Sequence, residues 1–266
     1  LMGKAPVENL DDLVSLGREV AEQGFDTLKT NIFLFEPDFH MHQPGFARTD
    51  GWPELNPSPT VITAVRDQVA ALREGAGADM QILLDLNFNY RTEGFLTVTR
   101  ALDDLGLAWY EIDIYDPDAL RRIRDSVRTP IASCESLFGL RGFRPFFEAQ
   151  AMDVAIVDVP WNGIWTSRKI AGLAEAHEIN VAPHNFYGHL STMMSAHFCA
   201  SLPNFRIMEI DIDDVPWKDD LVTNTPVIVN GKMQVPEGVG WGTDLNEEAI
   251  RAHPPADPKR HDKGMG

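Results

Sequence analysis

AWYEIDIYDPDALRRIRDSVRTPIASCES, residues 108–136, holds one complete turn of the pattern that organises the chain. An apolar run at 108–111 ends on Glu111, a segment of helical period follows at 118–126, and a second apolar run at 131–133 leads into Glu135. Parallel strands joined by helices produce this alternation. The two glutamates stand 24 residues apart, about the length of one βα unit of a barrel.

Working outward, the same reading predicts helices at 9–23, 59–75, 92–105, 118–126, 140–149, 164–177 and 189–202. Strands are predicted at 27–32, 81–85, 108–111, 131–133, 154–157, 180–182 and 206–210, each too short and apolar for an edge element. Their ends carry Lys29, Asp85, Glu111, Glu135, Asp158, His184 and Glu209 in succession, and from Asp85 onward the intervals are 26, 24, 23, 26 and 25 residues. Barrel enzymes place their chemistry at the C-terminal ends of several strands, so the expected fold is an α/β (β/α)8-type TIM barrel. A doubly wound open sheet is the structural alternative. Seven strands leave the barrel one short, and the expectation is that the first strand lies upstream of Leu1.

The step from Lys29 to Asp85 is too long for one unit, which marks 33–58 as an inserted loop over the strand ends, either a lid or a packed loop. The barrel domain is expected over 1–215. Residues 216–266 read as a hairpin turning at Asn230-Gly231, then a tail.

Composition sets the outer bounds. Of 266 residues, 44% are hydrophobic and 24% charged, within the range of a globular protein with one sizeable core. Lysine plus arginine number 23 against 40 acidic residues, and a net charge of −17 excludes a nucleic-acid duplex or an anionic membrane as natural partner. An anionic substrate would then need a local cation. Cys134 and Cys199 lie outside any metal or redox spacing and read as reduced structural residues. No apolar run approaches the roughly 18–20 residues of a membrane span, so a cytoplasmic location is the default expectation.

Three carboxylates, Asp85, Glu111 and Glu135, end consecutive strands and should converge near the barrel axis. Three anions that close require a cation, and oxygen-only ligation fits magnesium, with manganese as a substitute. His40 and His42 sit in the long loop, either solvated or reaching the site as a second acid, His189 and His197 on one helix as packing residues, and Trp109, Phe146 and Phe147 in the core. Tyr90 and Arg91 either touch a substrate or cap the helix at 92–105.

LLDLN (83–87), WYE (109–111), PIASCES (130–136), VDVPWNG (157–163), APHN (182–185) and MEIDIDD (208–214) resemble the successive strand-end motifs of the mandelate racemase and muconate lactonizing enzyme branch of the enolase superfamily. That resemblance implies magnesium on Asp85, Glu111 and Glu135, a His184–Asp158 pair for proton transfer, and Glu209 as donor to a substrate carboxylate oxygen. It also implies an N-terminal α+β capping domain upstream of Leu1, on which 216–266 would pack, a small carboxylate substrate and a homo-oligomer. Asn31, Asn87, Tyr90, Arg91, Trp161 and Asn185 stand where substrate contacts are expected. The use of a lysine or histidine base with magnesium is a general feature of that superfamily.

Two positions depart from the family pattern. Members that attack from the opposite face carry Lys-x-Lys on the second strand, whereas this chain reads Lys29-Thr30-Asn31, so an amide replaces the reactive lysine. Lys29 either holds a substrate oxygen or is a structural partner of a carboxylate. Trp161-Asn162-Gly163 stands where relatives often carry Gly-Gly, and the indole should narrow the pocket. With one base on one face, the resemblance implies a hydro-lyase converting an acid sugar to a 2-keto-3-deoxy acid. Epimerisation, racemisation or cycloisomerisation of a sugar acid or lactone is the alternative in the family, and a non-catalytic ligand-binding barrel is the alternative outside it.

Overall fold

The computed structural model describes residues 7–36, 38–46, 57–211 and 215–254. Among these the elements run α1 (Leu10–Glu22), β1 (Thr27–Thr30), β2 (Phe33–Leu34), β3 (His40–Met41), α2 (Pro59–Ala76), β4 (Gln81–Asp85), α3 (Thr92–Leu102), β5 (Trp109–Glu111), α4 (Pro117–Arg124), β6 (Ile131–Ser133), α5 (Gly139–Glu148), β7 (Val154–Asp158), α6 (Val159–Ala176), β8 (Asn180–His184), α7 (His189–Ala200), β9 (Ile228–Val229), β10 (Lys232–Met233) and α8 (Glu247–Ala252). The six-stranded parallel sheet has the order β1-β4-β5-β6-β7-β8. That order never reverses, which is the winding of a barrel; a doubly wound sheet turns back at a switch point. The result is an α/β fold with a curled, half-barrel parallel sheet.

Alternation along the strands separates two apolar layers. Ile82, Leu84, Tyr110, Ile131 and Val157 face the helices and join Leu72, Phe95, Phe143 and Ile170 in the main core. Phe146 and Phe147 lie in that core too. Leu83, Trp109, Ala132, Val154, Ile156 and Ala182 form a smaller cluster on the concave side. One step of period two beyond this inner layer come Asp85, Glu111, Asp158 and His184, so the pleat that buries the inner core also aims the polar rim. Each fully buried aliphatic side chain contributes roughly 1.5–3 kcal/mol, which lets the helix-facing layer offset a rim crowded with like charge.

β6 breaks the alternation. By pleat alone Cys134 would point inward after Ala132, but its φ of 90° turns the backbone, placing Cys134 in the helix-facing core and Glu135 beside the other acids. A non-glycine residue in that region costs on the order of 1–3 kcal/mol. Both cysteines are free and buried.

Three expectations differ from what is observed. Residues 206–210 make no strand; the contact with β8 is a single bridge, Val181 to Phe205. Above it the Asn185 side chain takes over from a ladder, its Nδ2 donating to the Glu209 carbonyl at 3.0 Å, while Ile207 still packs on the inner cluster. α6 begins at Val159 rather than 164, because Asp158 caps it by accepting from Trp161 N–H at 2.7 Å. Its backbone breaks at Gly163 (φ 70°, ψ 149°) before the expected helix resumes. The 33–58 insertion carries an antiparallel pair, Phe33 opposite Met41, and a short turn at Pro44–Phe46; residues 37 and 47–56 of it lie outside the described residues, as do 212–214 and the tail from 255. The Asn230-Gly231 turn is as expected, joining β9 to β10 with Lys232 opposite Val229. No helix among the described residues is long and apolar enough to cross a membrane.

Candidate active site

Asp85, Glu111 and Glu135 each offer an oxygen such that all three lie within 4.8 Å of one another. Local structure fixes each one. Asp85 Oδ1 accepts the Asn87 N–H at 2.9 Å across a tight turn in which Asn87 has φ 44°. Glu111 Oε2 accepts Trp109 Nε1–H at 3.3 Å, so the inner-core indole also orients a rim acid. Glu135 is carried by the left-handed Cys134.

Lys29 enters this group from β1, its ammonium 2.6 Å from Glu209 Oε1, 3.1 Å from Glu111 Oε1 and 3.3 Å from Asp85 Oδ2. Burial alone would lower its pKa, but Glu111, Glu209, Asp85 and Glu135 outweigh burial and hold it well above the ordinary lysine value. Glu111 is held well above the carboxylate range, first by burial, with Lys29 opposing and the neighbouring acids adding. Burial is likewise the main cause that raises Glu135. One ammonium does not neutralise so many acids. Asp113, 4% exposed, adds another carboxylate, and neither of its oxygens has a hydrogen-bond partner among the described residues. Its pKa is driven up by burial, then by Glu135, Asp85 and Glu111. An all-oxygen donor set with excess buried negative charge fits a hard divalent cation, and Asp85, Glu111 and Glu135 are the residues that would hold it.

On the other side stands the histidine pair. His184 Nδ1 lies 2.8 Å from Asp158 Oδ2, and its Nε2 is directed to the acids, 3.9 Å from Glu135 Oε2. Burial lowers its pKa, but the bond to Asp158 and the charges of Glu135 and Glu209 prevail and push it up to about 9. Glu209 itself is lowered: burial opposes, and Lys29, His184 and the Asn185 N–H overcome it.

The remaining sequence candidates divide. Asn31, just past the end of β1 and two residues beyond Lys29, donates Nδ2–H to Asn87 Oδ1 at 3.0 Å. Asn185 is fully buried and clamps Glu209, its N–H donating to Oε2 at 2.7 Å. Trp161 is half-exposed and stacks on Phe138, centroids 5.6 Å apart at 5°, with its centroid 6.4 Å from that of the His184 ring. Tyr90 is 2% exposed and packs edge-on against Phe95, and Arg91 stands exposed at the N-cap position of α3, where its side chain makes no capping hydrogen bond among the described residues. His40 is exposed, with Nδ1 on the Asp38 carbonyl, and His42 packs against Tyr90. His189 meets Asp219, and His197 packs on Trp241.

Sequence reading missed two residues. Asp113 follows Glu111 by two, the strand alternation that could have exposed it. Tyr187, whose hydroxyl donates to Asp158 Oδ2, lies in a loop with no periodic signal.

A curled parallel half-barrel with a carboxylate cation site and a histidine–aspartate pair on its strand-end rim defines a class of α/β barrel proteins. A model of the enolase C-terminal domain-like family matches residues 12–249, and the chain belongs to that family, in the mandelate racemase and muconate lactonizing branch of the enolase superfamily. It is 52% identical to a Burkholderia xenovorans protein provisionally named an L-alanine-DL-glutamate epimerase, whose crystal structure holds magnesium and fumarate; the match has a TM-score of 0.91 and covers 95% of this chain and 63% of that one. It is 30% identical to the D-xylonate dehydratase of Haloferax volcanii, over 89% of this chain and 56% of that protein. Identity to the D-galactarolactone cycloisomerase of Agrobacterium fabrum is 27%, over 71% of this chain and 53% of that protein. The chain thus spans little more than half the length of these curated relatives.

Proposed function

We propose that this chain is the barrel of a magnesium-dependent hydro-lyase that takes the proton α to a carboxylate with a single base, His184, returns that proton to the departing β-hydroxyl so that it leaves as water, and yields from an acid sugar an enol that tautomerises to a 2-keto-3-deoxy acid. The observation that carries the reading is the asymmetry of the rim. On one side an imidazole nitrogen is presented by Asp158; on the other, Asn31 offers an amide that cannot act as a base near neutral pH, and the Lys29 ammonium is occupied by three carboxylates. Asp158 fixes the imidazole with Nδ1 protonated, so that Nε2 takes the proton and stabilisation of the imidazolium follows. A divalent ion on Asp85, Glu111 and Glu135 would supply the positive charge that offsets the second negative charge built on the carboxylate as its α proton leaves. Lys29 would hold the substrate carboxylate, whereas Glu209, held low and accepting from Lys29 at 2.6 Å and from the Asn185 N–H, has no proton for the donor role that the family resemblance implies. Trp161 would wall the His184 side.

Two named relatives support the acid-sugar or lactone class. The fumarate in the Burkholderia structure supports a small carboxylate ligand. That protein's provisional name favours a second reading, epimerisation, and the two differ in how many faces exchange. Incubation with magnesium in heavy water, using D-xylonate, D-gluconate and an L-alanyl-glutamate dipeptide, separates them. The hydro-lyase reading expects a 2-keto acid carrying one deuterium at C3, or α-exchange in one configuration only. Exchange of both epimers of the dipeptide with no keto acid formed would establish the epimerase instead.

A further inference from the structure

Tyr187 follows His184 by three residues, in the loop between β8 and α7, and no strand-end pattern accounts for it. Its hydroxyl donates to Asp158 Oδ2 at 2.5 Å, the oxygen that also meets His184 Nδ1 at 2.8 Å. The other carboxylate oxygen takes the Trp161 N–H at 2.7 Å. Asp158 is fully buried, so three protein donors of different origin divide its charge: helix backbone, base and phenol. The backbone contact fixes the carboxylate plane. The phenol shares that oxygen with the imidazole, which makes Asp158 a weaker proton acceptor and keeps a proton on Nδ1, so that Nε2 is the nitrogen presented to the acids. The phenol ring also meets the imidazole edge-on, centroids 5.3 Å apart at 88°, which hinders rotation of the base.

The loop itself is anchored. Asn185 is pinned by Glu209, Ser191 and Thr192, and Phe186 is exposed, so Tyr187 is turned back toward Asp158 by its fixed neighbours.

We propose that Tyr187 is a positioning residue for the base: its hydroxyl, bound to the same Asp158 oxygen as His184, fixes the tautomer and the orientation of the imidazole. The proposal rests on the reading of His184 as the base. Nitrogen-15 spectra of histidine-labelled, magnesium-loaded protein test it, with the His184 signals assigned by their loss in His184→Asn. Wild type should show a single Nδ1–H tautomer. Tyr187→Phe, which keeps the ring, should show mixed tautomers while magnesium affinity by calorimetry stays unchanged. Exchange of the D-xylonate α proton should slow by about 10- to 100-fold with KM unchanged, as for other groups that orient a functional ligand through one contact. An unaltered imidazole spectrum in Tyr187→Phe overturns the proposal. A spectrum altered in Tyr187→Leu but not in Tyr187→Phe also overturns it, because ring packing alone would then position the base. If the tautomers mix as expected but no acid sugar exchanges its α proton in wild type, the hydro-lyase reading fails and the positioning role stands.

Discussion

His184 carries a sign that can be measured without a substrate. In the metal-free protein burial opposes its protonation, but the bond to Asp158 and the nearby Glu135 and Glu209 raise its pKa from 6.5 to about 9. A folded-state pKa above the unfolded value means that folding binds the proton more tightly. The stabilisation is therefore complete below about 6.5 and is lost as pH rises through about 9. In EDTA, wild type should melt above His184→Asn by the largest margin at the acid end of that window, and the margin should shrink toward its alkaline end. A margin that widens with pH would show that the imidazole is held neutral. At this scale the clustering of Asp85, Glu111 and Glu135 and the pairing of His184 with Asp158 were legible because strand ends recur at the βα period. Tyr187 was not, because a loop residue is aimed by its anchored neighbours and leaves no period. Asn185 was read for substrate contact, yet its donors and acceptor are taken up within the protein, a matter of local hydrogen bonding that residue type does not reveal.

The α1–α2 pair shows how closely two elements are fitted. A Cβ on Gly75 would stand 1.8 Å from the Val14 carbonyl oxygen, and one on Gly17 would stand 2.4 Å from the Leu72 oxygen, so the helix backbones touch. Gly75→Ala must push the helices apart and should cost about 1–3 kcal/mol, read as a lower thermal midpoint. Gly172→Ala on α6 meets nothing within 4 Å and should instead gain about 0.5–1 kcal/mol from helix propensity. Equal effects at the two sites would refute the packing argument. Six of the seven expected strands are present within two residues at each end, since short β-branched runs between helical periods admit few other readings. Residues 206–210 have the same composition but pair with β8 through a single bridge. Pairing depends on partners, and composition does not report them. The start of α6 was missed because the cap is Asp158 itself, which had been read only for its chemistry.

For the whole molecule, an acidic chain of net charge −17 concentrates further negative charge at its functional rim. The winding of the sheet brings residues from β1 to beyond β8 to one point, and this global convergence was legible as spacing alone. What the spacing could not show is that Lys29 lies inside the acid group rather than beside it, held by Asp85, Glu111 and Glu209. That placement sets an order of addition. Six formal carboxylates, Asp85, Glu111, Asp113, Glu135, Asp158 and Glu209, stand against Lys29 and a protonated His184, so the rim stays anionic on balance even where burial holds a proton on Glu111, Asp113 and Glu135, and an incoming carboxylate would be repelled until a dication lowers the balance. Calorimetric titration of D-xylonate should therefore show no heat of binding to EDTA-treated protein and clear binding once magnesium is restored, while magnesium should bind with no sugar acid present. Binding of the acid to the metal-free protein would refute this sequence. If it holds, cation supply acts as a gate on substrate occupancy: at low magnesium the enzyme would be empty rather than slow, and raising the substrate concentration would not rescue it.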